Sequence, residues 1–109
     1  MTDGEEPASD LTLRDVLDAA AEELPDVRRS GAAAAVSWAV ADLAFATLGE
    51  GRAEFRLDPL VARAALRTPD TAPSTRGLDW VAFAPETLDD AAIDRAEAWF
   101  LSAYRRARA

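Results

Sequence analysis

The chain of 109 residues contains no histidine, no cysteine and no lysine. Each absence removes a chemistry. Histidine is the usual general base near neutral pH. Cysteine supplies the thiol nucleophile and the soft metal ligand, and lysine supplies the Schiff-base amine. Without cysteine there is no disulfide and no thiolate zinc site. That composition fits a reducing, cytoplasmic location. Long apolar runs are also lacking. The longest stretch without charge is Ser30 to Ala41, rich in alanine, against the roughly 20 apolar residues of a membrane-spanning helix. The acidic start (Asp3, Glu5, Glu6) is the reverse of a secretory leader's basic one. A soluble protein with no membrane partner is expected.

What is present is arginine, alanine and acid. All 12 basic residues are arginine, as GC-rich coding favours. The net charge of −8 is unevenly placed. Residues 1–26 hold nine acids and Arg14 alone as a base, while residues 27–109 hold 11 of each sign. The body is balanced and the first quarter carries the acidity. A solvated, solubilising start explains this, with a partner-docking strip as the alternative.

Residues 1–9 are polar, acidic and broken by Gly4 and Pro7. They predict a disordered acidic N-terminus ahead of one domain over 10–109. Thr12 with Asp15 forms a capping box, and Leu13, Val16, Leu17, Ala20 and Leu24 recur at helical spacing. Pro25 ends that helix. Residues 28–33 read as a loop around Gly31. The period then changes to two. Val36, Trp38 and Val40 alternate with Ser37 and Ala39, and Leu43 to Leu48 makes a second strand. Gly49-Glu50-Gly51 is a hairpin signal. From Arg52 to Leu57 the residues Ala53, Phe55 and Leu57 point one way and Arg52, Glu54 and Arg56 the other. Asp58-Pro59 opens a second helix with Leu60, Val61, Ala64 and Ala65 as its buried side, ended by Pro69. Residues 69–78 are turn-rich, with or without a short strand. Trp80 to Ala84 is the last strand. Thr87 and Asp90 are expected to cap a third helix whose buried stripe is Ala92, Ala96, Trp99, Phe100, Ala103 and Ala107. Acids at its start and arginines at its end suit the helix dipole. The expected architecture is an α+β two-layer sandwich: an antiparallel sheet of four or five strands, helices packed on one face, in the order α-β-β-β-α-β(β)-α.

The order of these motifs resembles the MmcQ/YjbR family. The similarity runs over roughly residues 11–107. It rests on Leu24-Pro25-Asp26-Val27, on Phe45-Ala46-Thr47-Leu48 before a glycine turn, and on Arg76-Gly77 leading into Trp80-Val81. It continues in Leu88-Asp89-Asp90 and in a helix end with Trp99, Tyr104 and Arg105. The resemblance implies a fold like that of secretion chaperones, with a helix, three strands, a helix, two strands and a helix. It also implies the double-wing arrangement for which DNA binding has been suggested. Many members carry basic residues, often with histidine, just before the tryptophan strand; here Gly77-Leu78-Asp79 stands there, with Arg76 alone.

Catalytic, cofactor and metal residues do not emerge from the sequence. The serines have no base in sequence motif, and Gly-x-Ser-x-Gly is absent. Asp89, Asp90 and Asp94 are oxygen donors of the kind Mg²⁺ takes. Yet the first two diverge by about 100° on a helix, and dipole compensation accounts for all three. Gly49-Glu50-Gly51 is too short and too acidic to cradle phosphate. Arg52, Arg56, Arg63, Arg67 and Arg76 fall within 25 residues that also hold Glu54, Asp58 and Asp70, a local excess of +2. These five are the candidate nucleic-acid or partner contacts, although the net charge repels DNA. If helices cover the Val36/Trp38/Val40 side, the opposite sheet face, with Ala35, Ser37, Ala39, Ala44 and Ala46, is small and flat and suits a dimer or ligand. Trp38, Trp80 and Trp99 are expected in the core. The leading expectation is a non-enzymatic binding or accessory domain, monomer or homodimer, with an unassigned protein or ligand partner. A DNA-binding protein using the arginine cluster is the alternative, and a carboxylate-based enzyme is third.

Overall fold

A computed structural model describes residues 11–32 and 34–109. The expected disordered start, residues 1–9, lies outside the described residues. The elements run α1 (Leu13–Glu22), β1 (Val27–Ala32), β2 (Ala35–Val40), β3 (Leu43–Gly49), β4 (Arg52–Arg56), α2 (Pro59–Ala65), β5 (Thr71–Pro73), β6 (Trp80–Phe83) and α3 (Asp90–Arg108). The six strands form one sheet in the order β1-β2-β3-β4-β6-β5, antiparallel at every junction. This is an α+β two-layer sandwich.

The caps set the helices. Thr12 Oγ1 accepts from the Asp15 N–H at 3.1 Å while Asp15 returns the bond to the Thr12 N–H at 3.0 Å. Asp58 caps α2 through the Leu60 N–H at 3.0 Å, with Pro59 at the first helical position. α3 starts from Asp89 rather than Thr87: the Asp89 carboxylate accepts from the Ala92 N–H at 2.9 Å. A carboxylate at the cap also complements the dipole.

α1 and α3 pack on each other and on the same sheet face. The core between the layers is aromatic. Phe100 meets Trp38 edge-on at 5.4 Å between centroids and Phe45 at 5.2 Å, and Trp99 meets Phe83 at 5.1 Å. Edge-to-face geometry matches the ring quadrupoles. Phe55, Leu57 and Ala53 are fully buried beneath α3, as the alternation in β4 requires.

Three expectations are corrected, and the strand left open within residues 69–78 is present. Residues 28–33 are not a loop up to Ala32: β1 pairs with β2 along its whole length, from Val27↔Val40 to Ala32↔Ala35. As an edge strand, exposed at five of its six positions, it carries no apolar alternation to read. Residues 71–73 add a sixth strand at the other edge, where Pro73 is tolerated. α2 buries Ala62 and Ala65, whereas Leu60 is 73% exposed and Ala64 is also on the outside. The cap at Asp58 fixes where the first turn begins and so rotates Leu60 out to solvent. Finally, Ala46 lies in the core, not on the outer face. A register shift between Trp38 and Ala39 sets Trp38 opposite Ala46 and Ala39 opposite Ala44, a β-bulge at Phe45. The extra residue lets Phe45 and Ala46 both point toward the helices and reverses the parity of β3 before it.

Candidate functional site

Among the described residues, the face of the sheet away from α1 and α3 carries no helix, since α2 also buries Ala62 and Ala65 in the core they share. Its side chains follow from register. Residues paired to buried ones are inward, and their neighbours are outward. The outer row on β2 and β3 is Ser37, Ala39, Ala44 and Thr47. On β4 it is Arg52, Glu54 and Arg56, faced across β6 by Ala82 and Trp80. Trp80 is therefore outside the core, half-buried, with the Arg76 guanidinium 5.5 Å over its ring. Trp38 and Trp99 are core residues.

Glu54 is the centre of this face. The β5–β6 connection carries Ser74 and Arg76 back over it. Arg76 Nε donates to Glu54 Oε1 at 2.9 Å, Ser74 Oγ donates to Oε2, and Thr47 Oγ1 donates to Oε1 at 3.3 Å. Arg52 Nη2 stands 3.7 Å from Oε2. The Arg76 N–H donates in turn to Ser74 Oγ at 3.0 Å. The Glu54 side chain is only 13% exposed. Burial pushes its carboxyl up, but Ser74, Arg76 and Arg52 outweigh it and hold the carboxyl below its usual value. A groove of about 420 Å³ runs from Ala34 past Ser37 and Thr47 to Glu54 and Arg76.

A second cluster closes one end of the sheet. Asp79 Oδ2 accepts from Arg56 Nε at 3.1 Å and from Arg106 Nη1 at 2.9 Å. Arg106 Nη1 also reaches the Leu57 carbonyl at 2.9 Å, and the Leu57 N–H donates to the Asp79 carbonyl at 2.7 Å. The Arg106 hydrogen bond leads the effects that keep the Asp79 carboxyl below its usual value.

The five candidate arginines thus separate into three settings. Arg52 and Arg76 share Glu54, and Arg56 is held by Asp79. Arg63 and Arg67 stand exposed on and just beyond α2, with no ion pair among the described residues. Sequence reasoning placed Arg52 and Arg56 on one outer face, which holds. It missed their carboxylate partners, since Glu54–Arg76 and Arg56–Asp79 are joined across 22 and 23 residues by the β5–β6 return. Ser74 is also brought to Glu54 by that return. A carboxylate kept ionised by two guanidiniums is a weak base, so it does not activate the Ser74 hydroxyl. Of the acids weighed for Mg²⁺, Asp89 is occupied as the α3 cap, and Asp90 and Asp94 are exposed on the helix.

Among the described residues no helix is long and apolar enough to cross a membrane. Comparison with family models, with curated proteins and with solved structures finds no match.

Proposed function

We propose that this chain is a small, non-catalytic binding or accessory domain of the MmcQ/YjbR type, cytoplasmic, that works through the open face of its sheet. The element order supports the resemblance, with β1 as an added edge strand. The observation that carries the reading is the one-sided layering among the described residues: α1 and α3 lie on one face, and the other offers Ser37, Ala39 and Ala44 as a small, uncharged floor, with Thr47 buried and bonded to Glu54 at its edge. Small side chains permit a second sheet to approach to about 10 Å. The charges bordering that floor are held in ion pairs, Arg76 and Arg52 sharing Glu54, and Arg56 and Arg106 sharing Asp79, with a positive excess left over. The floor itself carries no charge, so an equally flat, neutral surface fits it. The occupant we assign is a second copy, stacked about a two-fold axis so that like residues meet. DNA contact through the arginines is the weaker reading, because carboxylates hold three of the five.

The test is sedimentation of the wild-type chain beside Ser37→Arg/Ala39→Arg, whose side chains point away from the core. The reading expects a concentration-dependent dimer that the double variant abolishes while its circular dichroism is unchanged. A wild-type chain that stays monomeric at the highest concentration reached, or a double variant that dimerises equally, overturns it.

A further inference from the structure

α1 and α3 lie side by side and run in the same direction. The Tyr104 hydroxyl reaches the Pro25 carbonyl just past α1, and residues 19–24 and 97–101 flank one groove of about 450 Å³. Ala19, Glu23 and Glu97 are exposed and Ala20, Leu24 and Leu101 half-buried, so its walls are open to solvent, while Phe100 lies beneath them in the core. Helical spacing extends both walls. Asp15, Ala19 and Glu23 recur every four residues on α1, and Asp90, Asp94, Glu97 and Leu101 recur every three or four on α3. The strip is about 12 Å long at the rise of a helix. Its carboxylates are exposed. Asp15 serves the Thr12 box, and Glu23, Asp90, Asp94 and Glu97 make no ion pair among the described residues. The neighbouring arginines leave this acid excess standing. Arg14 reaches Asp18 at 3.8 Å and Arg95 reaches Asp70 at 3.9 Å. Arg105 and Arg108 lie past Leu101 at one end, with Arg108 donating to the Tyr104 hydroxyl.

We propose that this strip docks a basic amphipathic helix of a partner protein. The helix lies along the seam between α1 and α3, its ridge in their groove. Its apolar side chains enter beside Ala20, Leu24 and Leu101. Lysines or arginines on its flanks meet Asp15 and Glu23 on one side and Asp94 and Glu97 on the other. Charge complementarity names the occupant. A second copy sets the same carboxylates against each other, and nucleic acid is repelled. The strip is on the opposite layer from the open face and does not depend on that face being used.

The probe is an end-blocked peptide of leucine and lysine, about 14 residues long, with leucines at i, i+3, i+4 and i+7. A peptide of the same composition in scrambled order, and one with glutamate in place of lysine, are its controls. The leucine–lysine peptide shifts the amide ¹H–¹⁵N signals of Ala20, Glu23, Leu24, Glu97 and Leu101 saturably and leaves those of Ser37 and Ala39 fixed. Both controls bind at least about tenfold more weakly. Two exposed acids give variants matched in charge. Glu97→Arg weakens binding about tenfold, whereas Asp42→Arg in the β2–β3 turn changes it by less than about twofold. Circular dichroism checks that both variants fold, and Glu23→Arg replaces Glu97→Arg if the latter does not. The proposal is overturned by the absence of shifts along the strip, by equal binding of the scrambled peptide, by shifts on the open face instead, or by an equal loss in Asp42→Arg.

Discussion

Arg106, near the C-terminal end of α3, donates Nη1 to Asp79 Oδ2 at 2.9 Å and so fastens the last helix to the turn before β6. The same nitrogen reaches the Leu57 carbonyl at the end of β4. One guanidinium thus joins three segments at a corner of the sandwich. Asp79→Ala leaves Arg56 and Arg106 without their carboxylate. The expected loss is about 1–3 kcal/mol of unfolding free energy, measured by urea denaturation. An unchanged midpoint contradicts the role assigned to Asp79.

Acid acts through the same carboxylates. Glu54 and Asp79 both titrate below their usual values of 4.5 and 3.8. The folded chain then binds fewer protons than the unfolded one, so stability rises with pH across this range. Their contribution is complete above the unfolded values and is lost as pH falls through the lowered folded ones. Urea midpoints taken from pH 7 down to pH 2 are expected to fall less steeply in Glu54→Gln than in wild type. Parallel curves count against an ion pair at Glu54.

Tyr104 anchors α3 through two bonds at its hydroxyl, which also accepts from Arg108 Nη1 at 2.7 Å. Its hydroxyl donates to the Pro25 carbonyl at 2.9 Å, joining α3 to the turn after α1. The ring packs at 5.9 Å on Phe45 and stays in place in Tyr104→Phe. The expected cost is about 1 kcal/mol, read as a lowered melting temperature.

Two leucines three positions apart are expected to behave oppositely. Leu57 is fully buried, and Leu57→Ala is expected to cost about 2–5 kcal/mol. Leu60 is 73% exposed, and Leu60→Ala is expected to stay within about 0.5 kcal/mol of wild type. Denaturation of both variants checks the rotation of α2, and a large loss at Leu60 contradicts it.

Gly31 is the backbone test of β1. Its φ is +108°, and an added Cβ would collide with the Ala35 carbonyl oxygen. Gly31→Val is expected to break the β1–β2 pairing, seen as faster amide exchange in Val27–Ala32 with β3 and β4 still protected. Unchanged exchange contradicts the strand.

Where side chains declare a face, the sequence was readable. The Thr12 box, Asp58-Pro59 and the alternation of Ala53, Phe55 and Leu57 each have a local cause, and each stands as read. Where the cause is tertiary, the reading failed. β1 is held by its neighbour's hydrogen bonds and packs only Val27 against the core, so Arg28-Arg29-Ser30-Gly31 resembles a loop. The bulge at Phe45 is invisible because either parity of β3 buries a plausible set. Leu60 looks like core because it is apolar, although the cap decides its direction. At the open face, β4 announced that Arg52, Glu54 and Arg56 share a side. The partners Ser74, Arg76 and Asp79 arrive from a turn-rich stretch with no periodicity, and nothing local ties them to β4.

The most direct test of the open face as a contact surface is an amide ¹H–¹⁵N dilution series of the intact chain. Dimerisation through that face predicts that signals of Ser37, Ala39, Ala44 and Thr47 move together with concentration while those of α1 and α3 stay fixed. Shifts confined to the helices, or none over the whole series, contradict it.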